Sequence, residues 1–456
     1  MNKILYIAYF FVLLLCIRFP AQAQETNGTL SGKITGDKNE PLIGVTVVAL
    51  HEPSGTKYGV ATGTDGRYYL PGLRIGGPYS VTVTMMGMQP QKREQLSIRL
   101  GEPMQLNFTL VVAGTELSAV TVKGTKKGAA ANTFGTGQNI SRTQLSNMPT
   151  ISRSLQDMTK MVPQASRDNS FAGTNFRYNN VTIDGAINND AIGFSPSAGG
   201  ITGSSGMPGS STRTNAVSLD AIEDMQVYLA PFDVKIGNFT GGSINAVTRS
   251  GTNTVTGSVY GFGRNAALTG KGPAGIKMNS DFYDYQAGVR VGFPIIKNKL
   301  FFFTNEEITS RQDPSQLLVG QAETAHILSM KEADQIRQST LDRYGAAFDP
   351  GTAGNYSAYS RSQKFFNRLD WNINDKHQLS VRNNTITSKA MNMDRDQQDF
   401  RFSSMAYQQV NNQSSTVMEL KSRFNSRWSN SFIAGYSVVH DKRNPDADPT
   451  LPQVQI

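Results

Sequence analysis

The sequence has almost no cysteine and little histidine, and both scarcities close off chemistry. Of its 456 residues one is cysteine, Cys16. It lies in the apolar run from Ile4 to Ile17, which follows Lys3 and precedes Ala21-Gln22-Ala23. A run of that kind ahead of a small-x-small tripeptide reads as a cleaved signal peptide, residues 1–23, leaving Gln24 at the front. The run is shorter than the roughly 20 apolar residues of a membrane helix, and Leu15 stands where a lipoprotein signal carries a small residue. The mature chain is therefore exported without disulfides or thiolate metal ligands. The four histidines, His51, His326, His377 and His440, are far apart, and none sits in an H-E-x-x-H or H-x-x-E arrangement. No Gly-x-Ser-x-Gly elbow or phosphate-binding loop is present either. We expect no catalytic residues, no metal site and no cofactor. No later apolar stretch is long enough for a membrane helix, so a membrane form of this chain crosses as β-strands. A formal net charge of +9 suggests nucleic acid, yet no run of five or six like charges appears, and an exported chain meets anionic lipids and glycans instead.

What is present is β patterning, 43 glycines and 9% aromatics, with a mean hydropathy of −0.34. Residues 24–113 show period-two runs: Thr29 to Ile34, Gly44 to Leu50, Tyr68 to Leu70, Tyr79 to Thr84 and Met104 to Leu110. Breaks at Asp37 to Pro41, Asp65-Gly66 and Gly76 to Pro78 predict the hairpins of a small antiparallel sandwich. Gly32-Lys-Ile-Thr-Gly36, Pro41 to Val47 and Ala61 to Leu70 resemble the carboxypeptidase regulatory-like domain, a transthyretin-like β-sandwich; despite its name, the resemblance implies no peptidase.

Residues 114–134 hold a short extended segment and a linker of small and charged residues. A hydrophobic strand before a flexible tether suits edge-to-edge pairing with a partner. Leu117, Ser118, Ala119, Val120, Thr121 and Val122 resemble a TonB box; the alternative is a last strand of the sandwich. Residues 135–251 follow. Leu155, Met158 and Val162 fall three to four apart, predicting a short amphipathic helix that ends at Pro163, and Asn180 to Gly185 reads as strand and turn. The ordered set Met148-Pro149, Arg153 to Asp157, Val162-Pro163, Ile183-Asp-Gly185, Ile222 to Val227, Gly241 to Asn245 and Thr248-Arg249 resembles the α/β plug domain of TonB-dependent outer-membrane receptors. With the preceding sandwich, the likeness is to their Oar-like members. Leu155 is followed by Gln156-Asp157 rather than by Gly after the Gln, which departs from the glycan-importing branch and leaves glycan specificity without support. Asn188 to Asn215 is long, rich in Gly, Ser and Pro and weakly charged. Such a loop inside a compact domain is either disordered or functional. Asn188, Asn189, Phe194 and Arg213 are its candidate ligand contacts at the plug apex.

Residues 252–456 alternate as membrane strands do. Tyr283, Tyr285, Ala287, Val289, Val291 and Phe293 oppose Asp284, Gln286, Gly288, Arg290 and Gly292; Phe365, Leu369, Trp371 and Ile373 oppose Arg368, Asp370 and Asn372; Met418, Leu420 and Phe424 oppose Glu419, Lys421 and Arg423. Other candidates are Val255 to Arg264, Leu300 to Thr309, Gln378 to Thr387 and Phe432 to His440, about seven strands in all. Gaps alternate long and short, with short ones at Pro294 to Lys299, Asn374 to Lys376 and Ser426 to Asn430, the pattern of outer-membrane barrels. A barrel wide enough to hold a plug needs about 22 strands, so these read as the N-terminal part of an incomplete barrel.

The fold expected is thus mainly β: a transthyretin-like sandwich, an α/β plug and the first strands of a large transmembrane β-barrel. The resemblance implies uptake across a bacterial outer membrane. Its partners would be TonB of the inner-membrane energy complex, outer-membrane lipid, an extracellular ligand that is a peptide, glycan or metal chelate, and in some systems a surface lipoprotein. The rival is a surface adhesin or structural β-protein without transport, which needs neither box nor plug.

Overall fold

The computed structural model describes residues 26–101, 103–113, 120–123, 135–148, 150, 153–166, 170–175, 178–189, 210–231, 236–271, 281–314, 328–354, 356–393, 401–425 and 428–445. The expected signal peptide lies outside the described residues, as do Leu117, Ser118, Ala119 and Phe194.

The alternating N-terminal runs become strands because every second side chain reaches one shared core. They are β1 (Gly28–Thr35), β2 (Thr46–His51), β3 (Thr56–Ala61), β4 (Arg67–Leu73), β5 (Gly76–Thr84), β6 (Gln91–Ile98), β7 (Met104–Gln105), β8 (Phe108–Thr109) and β9 (Val120–Lys123). One sheet is ordered β4-β1-β7, with β8 also on β1, and the other β3-β2-β5-β6-β9. Leu30, Ile34, Val47, Leu70, Tyr79, Val81 and Val83 fill the space between them and are fully or almost fully buried. Gly66 makes the tight turn that brings β4 back onto β1: its φ is +71°, and a Cβ there would stand 2.6 Å from the Ile34 carbonyl oxygen. The expectation of an all-antiparallel sandwich needs correction. β7 and β8 run parallel to β1, and β9 runs parallel to β6. The chain passes from one sheet to the other between β6 and β7 instead of turning straight back, and a parallel partner requires such a crossover.

The plug has a mixed five-stranded sheet, β10-β13-β14-β11-β12, built from β10 (Gly135–Ser141), β11 (Asn180–Ile183), β12 (Ala186–Ile187), β13 (Ile222–Pro231) and β14 (Ser243–Thr248). Two short helices precede β11. The first, α1 (Arg142–Asn147), is held at its start by Gln144, whose side chain accepts from Ser141 N at 2.9 Å; the sequence pattern had not marked it. The second, α2 (Leu155–Thr159), starts where Ser154 Oγ accepts from Asp157 N at 3.1 Å. It is shorter than expected. Met161 N bonds Met158 O and Val162 N bonds Thr159 O, so the chain tightens into turns before Pro163. Leu155, Met158 and Val162 nonetheless enter the core together with Phe171, Met225 and Ile244.

The last part is one antiparallel sheet of seven sequential strands: β15 (Thr256–Asn265), β16 (Tyr283–Ile296), β17 (Leu300–Pro314), β18 (Ser357–Asn372), β19 (His377–Asn392), β20 (Tyr407–Arg423) and β21 (Ser429–Pro445). Most are longer than the sequence pattern suggested. A strand of 16 residues, such as β18, reaches about 50 Å and is longer than the roughly 9 to 11 residues that cross a bilayer when tilted. The sheet is not closed, since β15 and β21 are its two edges; it is an incomplete barrel. Short connections lie at one rim, and the long ones at the other include α3 (Met330–Tyr344), capped by Ser329. The expected faces hold. Val259, Val289, Phe365, Trp371, Met418 and Tyr436 are exposed on the outside, whereas Asn305, Glu307, Lys364, Arg368, Asp370 and Glu419 are buried inside.

Candidate functional site

Buried charge inside a barrel is costly unless it is paired, and here the partners come from the plug. The Ile183-Asp184-Gly185 turn places Asp184 in the left-handed region, φ +52°, between β11 and β12. Its carboxylate accepts from Thr248 N at 2.8 Å and Thr248 Oγ1 at 2.6 Å, which fixes it to β14. From there it faces two barrel arginines, with Arg382 Nε 2.9 Å away and Arg368 Nη1 at 3.6 Å. Arg368 holds Asp370 with two bonds of 2.9 Å and reaches the plug backbone at Thr248 O, also 2.9 Å. Arg382 is less well served. Its contact with Asp184 lacks hydrogen-bond alignment, and neither Nη has a partner among the described residues.

Higher in the lumen the pattern repeats. Lys364 Nζ lies 2.7 Å from Glu307 Oε1, and Ser218 of the plug donates to Glu307 Oε2 at 2.7 Å. Between these polar fasteners sits an apolar one, Phe303 and Phe366 of the wall, which join the plug's own core at a centroid separation of 6.1 Å. The sequence pattern does not single out these two aromatics, although Phe366 shares the inward parity of Arg368 and Asp370 on β18.

The sandwich closes the short-turn rim. Arg74 Nη1 donates to Ser250 Oγ at 2.9 Å and approaches Asp370 at 3.6 Å, and Asn372 Nδ2 donates to Thr56 Oγ1 at 2.9 Å. A cavity of about 470 Å³ remains between sandwich, plug and wall, lined by His51, Arg74, Glu223, Arg249, Arg290 and Asp370 among others. Burial, with help from Arg74, holds His51 near a pKa of about 3, so its ring is neutral. Burial pushes the Glu223 carboxyl up despite Arg142, Arg290 and Arg368 nearby.

The expected ligand contacts sit at the roots of the apex loop. Asn188 N donates to Val181 O at 2.7 Å, and Asn189 receives Val181 N at 2.7 Å while donating to Asn180 Oδ1 at 3.1 Å. Arg213 is ion-paired to Asp313 of the wall at 2.9 Å, and burial lowers its pKa against that pairing. These residues anchor the two ends of the segment and are not brought together. Val120 to Val122 lie in β9, along the edge of the sandwich: Val120 pairs with Gln91, Thr121 with Lys92 and Val122 with Arg93. No group of three or more metal-ligating side chains gathers among the described residues.

Comparison with known proteins gives two family matches, a carboxypeptidase regulatory-like domain over residues 29–111 and an outer membrane beta barrel domain over residues 247–327. The chain is similar to the TonB-dependent transporter Oar of Myxococcus xanthus, 24% identical over 392 residues, which is 81% of this chain and 34% of that protein. It thus spans about a third of the length of the curated relative it matches. Among solved structures it is similar to the outer membrane transporter YddB of Escherichia coli at 12% identity and TM-score 0.45, covering 68% of this chain and 40% of that one. The siderophore receptor PirA of Acinetobacter baumannii matches with the same coverage and TM-score at 15% identity.

Proposed function

We propose that this chain is the plug-bearing part of a TonB-dependent receptor that takes up a ligand across the outer membrane, with work supplied by an inner-membrane partner and no covalent chemistry of its own. The observation that carries this reading is the seam around Asp184. A domain meant only to fill a barrel would be held best by apolar packing, since replacing a buried ion pair by well-packed hydrophobic groups is often neutral or stabilising. Here the plug is fastened by Asp184 to Arg368 and Arg382 and by Ser218 to Glu307. Such contacts are specific and can be made again once water has entered between them. An adhesin has no use for a releasable stopper.

In this reading residues 1–23 are the signal for export, 24–113 the periplasmic sandwich, 114–134 the box and linker, 135–251 the plug and 252–456 the start of the barrel. Leu117 to Val122 is the strand that TonB grips. The ligand meets the apex segment rooted at Asn188, Asn189 and Arg213, with Phe194 on it. Arg213, already paired to Asp313, ties that segment to the wall, so ligand contact there is felt by both plug and barrel. The test uses the full-length receptor. Changing Val120 or Val122 to Pro, which removes a strand donor and fixes the backbone, abolishes copurification with the periplasmic domain of TonB while surface abundance stays normal. Undiminished binding by both variants would remove the box from Leu117 to Val122. Deleting Ser195 to Ser211 lowers ligand uptake and spares TonB binding; normal uptake by that variant would deprive the apex segment of its role.

A further inference from the structure

We propose that the N-terminal sandwich is a releasable clamp on the plug, locked by Arg74 and opened when the partner pulls on the box strand. This rests on the transport reading and says which body moves first. Strand β14 belongs to two cores at once. Its Ile244 and Ala246 pack in the plug interior, whereas Val247 is buried in the core cluster of the sandwich. Beside it, Arg74 of the sandwich bonds Ser250 just after β14 and faces Asp370, the carboxylate that holds Arg368 against Thr248. One guanidinium from the sandwich thus completes the charge chain that runs from the wall to Asp184 of the plug.

The fit is close at the edges of the cavity. At Gly101 of the sandwich a Cβ would stand 1.8 Å from Gln226 Oε1 of β13, and at Gly55 a Cβ would stand 2.0 Å from Asn298 Oδ1 in a rim turn. Asn253 N also donates to Pro53 O at 2.7 Å. With the sandwich seated, plug strands β13 and β14 are covered on the rim side and cannot slide out of the lumen. The box strand is attached to this same body, because β9 pairs in parallel with β6. Tension on the box therefore loads the sandwich before it reaches the plug, and separating Val247 and Arg74 from their partners is the first step.

Val247→Cys reports that step. Cysteine replaces a small buried side chain with another, and it reacts with a fluorescent maleimide only when the sandwich lifts. The full-length receptor, with any other cysteine changed to Ser, is labelled in outer membranes of energised cells with and without TonB. We expect labelling to be slow without TonB and about tenfold faster with it, because a protected group reacts in proportion to local opening. Arg74→Ala in the same background speeds labelling without TonB to a similar degree, and Arg74→Lys, which keeps the charge and loses the fork, falls between. Heat-modifiable gel mobility confirms that the barrel is folded in each case. Equal labelling with and without TonB, fast labelling in every background, or no effect of Arg74→Ala would each overturn the clamp. The box reading is judged separately, by copurification of the Val120→Pro variant with TonB: retained copurification fails the box, whereas its loss together with TonB-independent labelling fails only the clamp.

Discussion

Replacing Asp184 by Asn tests the seam with little disturbance of the backbone. The residue sits at φ +52°, a region that Asn tolerates about as well as Asp and that Ala does not. Asn also keeps an oxygen for Thr248 N, now 2.8 Å away. What disappears is the negative charge opposite Arg382 and Arg368, both more than nine-tenths buried. Removing one partner of a buried pair costs about 3 to 5 kcal/mol, because the other charge is left uncompensated. Arg368 keeps Asp370 through two bonds of 2.9 Å, so the loss falls mainly on Arg382, and we take the low end, about 3 kcal/mol. Arg382→Met should also lower stability, by less than Asp184→Asn, because Asp184 keeps both Thr248 bonds and Arg368 at 3.6 Å. The double variant should recover roughly 1 to 2 kcal/mol of the Asp184→Asn loss, which is the coupling a double-mutant cycle reads. Pulse proteolysis of the plug in urea, on the full-length receptor in detergent, gives these values, and heat-modifiable mobility shows that the barrel is intact. A loss below about 0.5 kcal/mol for Asp184→Asn, or strict additivity in the double variant, would show that the plug is not held by this pair.

Further outcomes follow from other parts of the molecule. Val289 faces outward across from Glu306, so Val289→Arg should destabilise the full-length barrel by about 2 kcal/mol, the low end of the usual range because Glu306 offers a partner; Arg290→Gln should be mild, and equal effects in a folding titration would reverse the assigned faces. Glu306→Leu should raise barrel stability in the same titration, and a loss would place that side chain away from lipid. His51 is neutral in the fold, with a pKa held near 3 against an unfolded value of 6.5, so only the unfolded sandwich takes up a proton in that window. Stability is fully present above 6.5 and falls as pH drops toward 3; at pH 4.5 the loss is about 2 to 3 kcal/mol. Pulse proteolysis at sandwich sites checks this, and a His51→Phe variant with the same slope would refute the cause.

The membrane faces are legible because a strand has period two and charge gathers mostly on its inward side. Arg290, Arg368, Asp370 and Glu419 could be placed inside from spacing alone. Loop alternation gives the rims for a similar reason, since only short turns fit Pro294 to Lys299 or Asn374 to Lys376. Capping chemistry was less visible. Gln144 bonds the backbone at Ser141 and starts α1, but no apolar period marks so short a helix, and α2 ended early because turn bonds replaced helical ones ahead of Pro163. Parallel partners were invisible too, as β7, β8 and β9 alternate just as hairpin strands do and nothing local states which neighbour they will find.

The seam itself shows why a site of this kind resists reading from sequence. Asp184 reads as half of an Asp-Gly turn, and Arg368 and Asp370 as polar members of a strand, each correct at its own scale. Their meeting depends on β11, β14 and β18 being stacked by the plug's entry into the lumen, and no spacing along the chain encodes that approach. The same holds for Val247, which reads as one more apolar residue of a strand until its two faces are assigned to different cores. Charge is a better clue than hydrophobicity in such places. An inward Arg in a membrane strand demands a partner, because a lone buried cation is costly, so the presence of Arg368 and Arg382 on adjacent strands calls for a carboxylate from outside the barrel. Within the plug, Asp184, Asp190, Asp220, Glu223 and Asp224 have no lysine or arginine within five residues. Asp184 sits in an Asp-Gly turn, where a short side chain can project beyond its sheet toward a wall.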